Sequence, residues 1–249
     1  MTTNELINFE VEHFKNGWGR KLSFAQLSSS NVDNCMTHAL SDALNQGARR
    51  GSVRYIPVLD TITNAFRNDF IEVANGTRQI SNRSDFKALF DALRSKFLSL
   101  LASNGLEVLS KFGFAQKFIN MTFKYLYCFD DCDKANLRFC HLPLDQYTID
   151  WYKQYGDKSI IARFKAIKFA WANIDETLYW DIQNDIDSKL NSGIDYPINC
   201  KDPTQIIRLP ISKIEVEFIV WMQQQLNDVY SQSLSKLKDY YVRLGIKEI

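Results

Sequence analysis

The sequence predicts an all-α fold, and three observations carry that reading. First, the segment "SDFKALFDALRSKFLSLLASNG" places Phe86, Leu89, Phe90, Leu93, Phe97, Leu100 and Leu101 at helical spacing, with Ser84 as the expected cap and Gly105 as the stop. Second, glycines stand where other helical periods run out, at Gly47 after 33–46 and at Gly76 after about 57–75. Third, the best strand signals, "SVRYIPVL" and "QIIRLPI", are each interrupted by proline.

The elements follow in order. In "DNCMTHALSDALNQ", Met36, Ala39, Leu40, Ala43 and Leu44 share one face. After the stripe of 84–105 comes a short helix over "LEVLSKF" (106–112), a four-residue turn at Gly113–Gln116, and an apolar helix to Phe129. The loop "CFDDCDKANLRFCH" leads to "HLPLDQYTIDWY", where Asp145 follows Pro143-Leu144 and opens another helix. Residues 159–173 and 175–191 read as two more helices, 193–210 as an irregular stretch, and 212–244 as a long C-terminal helix or helix pair. About ten helices in one continuous body, residues 1–249, is the expected architecture, with 193–210 as the one candidate boundary.

Composition bounds the function. The chain has 249 residues, 45% of them apolar and 13% aromatic, enough for a substantial core. Lysine and arginine (30) balance aspartate and glutamate (29), so any nucleic-acid surface has to be local. Neither a signal-peptide run nor a membrane-length apolar segment is legible, and five unevenly spaced cysteines fit a reducing compartment; a cytoplasmic protein is expected. Cys128, Cys132, Cys140 and His141 are competent ligands, but only Cys128 and Cys132 have the spacing of a zinc pair, so no metal is expected. P-loop, dinucleotide, HExxH and GxSxG elements are absent from the sequence, and no cofactor is expected.

The stretch "KFGFAQKFINMTFKYLYCF" (111–129) raises the chemical question. Lys117, Asn120 and Lys124 recur at i, i+3 and i+7 on one face of a helix whose other faces are aromatic or aliphatic. A lysine that loses hydration there is more readily a free amine, hence a nucleophile. A solvated polar stripe is the plainer alternative.

"GFAQKFINMTFKY" followed by "LPLDQY" resembles the catalytic core of the helix-hairpin-helix DNA glycosylases, most closely the archaeal-type 8-oxoguanine glycosylases. The resemblance covers about 45 residues, from Leu106 to Trp151. It departs from the superfamily in having a single hairpin glycine, no iron–sulfur cysteine loop after Asp145, and a long step from Lys117 to Asp145. It implies a helical glycosylase-like fold with a helix-hairpin-helix element at 106–129 and an active-site helix starting near 145. Lys117 would be the catalytic nucleophile and Asp145 the catalytic carboxylate. Lys111, Gly113, Phe114 and Gln116 would hold DNA phosphate, and Asn120, Lys124, His141 and Trp151 would line the base pocket. The implied partner is duplex DNA bearing a damaged or modified base, best 8-oxoguanine, bound by a monomer in a prokaryotic or phage-related, nucleoid-associated setting. A glycosylase directed at modified phage bases and a non-catalytic nucleic-acid-binding module are the competing readings.

Overall fold

The computed structural model describes residues 2–17, 22–51, 54–198 and 206–225. Within them the chain is helical: α1 Thr3–Gly17, α2 Ser29–Gly51, α3 Leu59–Ala74, α4 Arg83–Ser103, α5 Phe112–Tyr127, α6 Lys134–Leu137, α7 Gln146–Tyr155, α8 Lys158–Ala166 and α9 Glu176–Ser192. A tenth helix, α10, occupies 213–225. Two three-residue strands, β1 Asp195–Pro197 and β2 Ile206–Arg208, pair antiparallel with Tyr196 opposite Ile207. The second half of the predicted C-terminal helix, beyond 225, lies outside the described residues, as do Trp18 and Cys200.

Local chemistry explains most boundaries. Asn82, in extended backbone, caps α4 by accepting the Asp85 N–H, so the cap stands two residues before the expected Ser84. At the other end Leu106 N–H reaches Leu101 O and Gly105 N–H reaches Ala102 O, with Gly105 at φ +73°. That is a Schellman close, and the left-handed residue it needs is the glycine. Gly76 at φ +76° likewise follows the end of α3. Gly47 does not stop α2, which runs on to Gly51; one glycine inside a helix costs only about 1 kcal/mol. The expected helix over 159–173 is two pieces, because Lys168 and Phe169 turn to positive φ and are followed by a single 3-10 turn at Trp171–Asn173. In "SVRYIPVL" the described residues, 54–59, hold no strand: Ile56–Val58 form a 3-10 turn leading into α3.

The helix of the chemical question is the centre of the molecule. Helix α5 is buried from Gly113 to Tyr127 with the exception of half-buried Lys117, and α2, α3 and α4 pack around it. A helix buried on every side is a core helix rather than an amphipathic surface one. Its Phe118 meets Phe66, Phe70 and Phe97, and Phe123 meets Phe70 and Phe86, mostly edge to face at centroid distances of 4.7–5.9 Å.

The hairpin expectation is corrected here. Residues 106–111 hold only a 3-10 turn at Glu107–Leu109, and Gly113–Gln116 lie in the first turn of α5, which starts at Phe112. Gly113 is required for a different reason. A Cβ there would overlap the Trp171 carbonyl oxygen and stand 2.7 Å from Ala172 Cα, so the glycine lets the 171–173 turn lie directly on the helix.

Candidate active site

Asp145 is the N-cap of α7. Its Oδ1 accepts the Thr148 N–H at 3.1 Å while its own N–H donates to Thr148 Oγ1 at 2.9 Å, a reciprocal capping box. Its Oδ2 accepts no hydrogen bond from the described residues, so one carboxylate oxygen is left over. The loop before it is clamped. Gln116 Nε2 donates to Leu144 O at 3.1 Å, and Leu144 N–H donates to Gln116 Oε1 at 3.2 Å. Gln183 Nε2 holds Leu142 O at 2.8 Å, and Thr148 Oγ1 donates to Pro143 O at 2.7 Å.

The clamp fixes what sequence spacing leaves open. Lys117 directly follows Gln116 and Asp145 directly follows Leu144, so the two residues 28 positions apart flank one pair of hydrogen bonds. Lys117 is half-buried, lies over the Trp171 ring at 4.4 Å, and makes no ion pair with any described residue.

Behind them is a second lysine in a different state. Lys124 is fully buried and its Nζ meets the Glu217 carboxylate at 2.6 and 2.7 Å. The ammonium is boxed by Phe14 (4.3 Å), Trp221 (4.4 Å) and Phe218 (5.2 Å), so it ties α5 to both α10 and α1. Glu217 is pushed up to about 7, chiefly by burial; Lys124 and, more weakly, Lys117 pull it down, and Asp145 pushes it up. Lys117, Lys124, Asp145 and Glu217 therefore share one electrostatic neighbourhood.

The remaining candidates are corrected by their burial. Asn120 is buried and donates to Tyr179 Oη at 3.0 Å and to Gln116 Oε1 at 3.3 Å. The Tyr179 hydroxyl that accepts from Asn120 also shares a hydrogen bond with His141 Nδ1, 2.7 Å away. His141 lies among Phe86, Phe90 and Trp180, and burial holds its pKa well below the usual histidine range. It is a neutral structural histidine, not a base facing a ligand. Gln116 and Phe114 are likewise inside, the latter edge-on to Trp171 at 5.6 Å, so neither presents a side chain to a phosphate. Trp151 stacks on Tyr155 at 5.7 Å and is 1% exposed, a core residue rather than a platform for a flipped base. Lys124 is no pocket residue either. Of the expected DNA contacts only Lys111 is exposed, at the N-cap position of α5.

The cysteine cluster has other partners. Cys128 and Cys132 turn their thiols to Lys124 O and Tyr127 O, and Cys140 is buried. Burial raises all three thiols.

Two buried acids lie outside the motif. Glu217 lies in "KIEVEFIVWM", one turn after Lys213 and Ile214 and one turn before Trp221, in the middle of an apolar stripe. An acid in that position signals a buried partner, and Lys124 is it. Glu10 is also buried; Oε1 accepts from Gln223 at 3.0 Å while Oε2 is buried without a hydrogen bond among the described residues. Burial pushes Glu10 up to about 7. The folded state thus binds this proton more tightly than the unfolded chain, and the stability it contributes is present below about pH 4.5 and lost as the pH rises to 7. Glu10→Gln is expected to stabilise the protein by about 1–2 kcal/mol at pH 8 and by little at pH 4.5. Urea unfolding of both proteins at the two pH values tests this; equal differences at both would refute it.

Comparison with protein-family models, with curated proteins and with solved structures returns no match for this chain.

Proposed function

We propose that the protein is a DNA N-glycosylase, with strand-nicking lyase chemistry available to it, acting on a damaged or modified base in duplex DNA, 8-oxoguanine first among them. The observation that carries the reading is the Gln116–Leu144 clamp. It brings together the backbone of Lys117, whose amine forms no ion pair among the described residues, and that of Asp145, whose carboxylate keeps an uncommitted oxygen.

The chemistry fits these groups. As the N-glycosidic bond breaks, positive charge builds at C1′, and the Asp145 carboxylate stabilises it. The Lys117 amine adds to C1′, the base leaves with the bonding electron pair and takes up a proton, and ring opening gives an imine between lysine and sugar. Loss of the C2′ proton then expels the 3′ phosphate, or water hydrolyses the imine and returns the abasic site. Lys111, at the start of α5, takes over the phosphate contact that the hairpin was expected to make.

Duplexes carrying 8-oxoguanine, hypoxanthine, uracil or an abasic site, incubated with borohydride, should give a covalent adduct that Lys117→Gln loses. Asparagine caps helices as well as aspartate, so Asp145→Asn should keep the melting temperature while reducing base release at least 100-fold. No adduct and no released base on any duplex, including modified phage DNA, would end this reading. Retained activity in Asp145→Asn would instead make Asp145 a cap and nothing more. Its capping box favours that second reading, a binding module without catalysis.

A further inference from the structure

A cleft of about 570 Å³ opens elsewhere on the molecule, between the start of α4, α6 with the residues after it, α9 and the N-terminus of α10. Its floor is Lys213, 3% exposed, whose ammonium meets Asp187 at 3.0 Å, and Arg83 approaches the other oxygen of Asp187 at 3.2 Å. Its walls carry Lys134 and Arg138, both exposed and without a carboxylate partner among the described residues. Each is held instead by a ring face, Lys134 over Tyr127 at 5.1 Å and Arg138 over Phe139 at 4.6 Å. Four cations therefore face two carboxylates, and both acids are engaged, Asp187 by Lys213 and Arg83, and Glu215 by the Tyr127 hydroxyl at 2.7 Å. The cleft has a surplus of two positive charges in a chain whose overall charge is only +1.

Two further features have the same sign. Ser212, which precedes α10, has its Oγ buried without a hydrogen-bond partner among the described residues. The first N–H groups of α10 have no intrahelical acceptor, and Ser212, Lys213 and Glu215 at that end line the cleft. Phe139, under the Arg138 guanidinium, and Ile211 add apolar surface to the lining. Cations at a protein surface ordinarily pair or stay solvated; a buried lysine beneath two unpaired ones in a concavity is a site built for an anion.

We infer that this cleft binds a mononucleotide-sized organic phosphate, its phosphate between Lys134, Arg138 and the α10 N-terminus and its flat ring against Ile211, which is 62% exposed. The volume lies within the range of small-ligand sites, and the ring-faced Arg138 leaves its guanidinium edge free for a phosphate. The inference does not depend on the glycosylase reading, since none of the cleft residues belongs to the Lys117–Asp145 site.

Isothermal titration of the full chain with 5′-mononucleotides, the matching nucleosides, inorganic phosphate and a short single-stranded oligonucleotide tests it. Mononucleotides should bind saturably, at least tenfold tighter than nucleosides and tighter than inorganic phosphate. Lys134→Ala combined with Arg138→Ala, both at exposed positions, should weaken that binding at least tenfold with an unchanged melting temperature, and Lys117→Gln should leave it intact. Equal binding of nucleoside and nucleotide, binding unaffected by the double substitution, or binding by the oligonucleotide alone would each overturn the assignment; the last would make the cleft a strand groove.

Discussion

Lys124→Met is expected to destabilise the protein by about 3–5 kcal/mol at pH 8, because it strands the Glu217 carboxylate in a fully buried position. The penalty should shrink as the pH falls. Glu217 is already raised to about 7, and without the lysine it rises further, so at pH 5 the lone group is a neutral acid that costs far less to bury. Lys124→Met with Glu217→Leu removes both charges and should recover most or all of the loss, since a buried ion pair exchanged for packed apolar side chains is commonly neutral or stabilising. Urea unfolding of the two single variants and the double variant at both pH values measures this. If Lys124→Met costs under 1 kcal/mol at pH 8, or the same at both pH values, the buried-pair account fails.

Gly113→Ala is the second large effect, and two opposing magnitudes decide its sign. Alanine improves helix propensity by about 1 kcal/mol at an ordinary position. Here the new methyl meets backbone, the Trp171 carbonyl and Ala172 Cα, and neither can swing aside as a side chain would. Overpacking against backbone costs about 3 kcal/mol or more, so a net loss of at least 2 kcal/mol is expected. The relief available is movement of the 171–173 turn, which carries the indole that covers Lys117. The variant should therefore also change the environment of Trp171, visible as altered tryptophan fluorescence against a control with Trp171 replaced. An unchanged or raised melting temperature would mean that the helix and the turn are not in backbone contact.

Helix existence was legible because it depends on short-range chemistry. The stripe of α4, the cap at Asp145 and the stop at Gly105 each rest on residues three to five apart, and each stands as read. Boundaries that depend on competing caps moved by a few residues, as at Asn82. The role of Gly113 is not legible in the sequence because a glycine tolerates both a tight turn and a close contact, and only the position of residues 171–173, nearly sixty residues away, distinguishes them.

The two lysines of α5 divide the same way. The sequence alone determined that Lys117, Asn120 and Lys124 share a helix face and that the face is narrow. It also placed Asp145 at a helix start. Tertiary structure decided their partners: Glu217, from a helix 93 residues on, neutralises Lys124, whereas Lys117 forms no ion pair with a described residue. It decided too that Gln116 closes the distance between Lys117 and Asp145, and that Lys134, Arg138 and Lys213 line one cleft. The physical reason is range. Periodicity and capping are set by neighbours within a turn or two along the chain, while burial and charge pairing depend on which distant segment packs alongside.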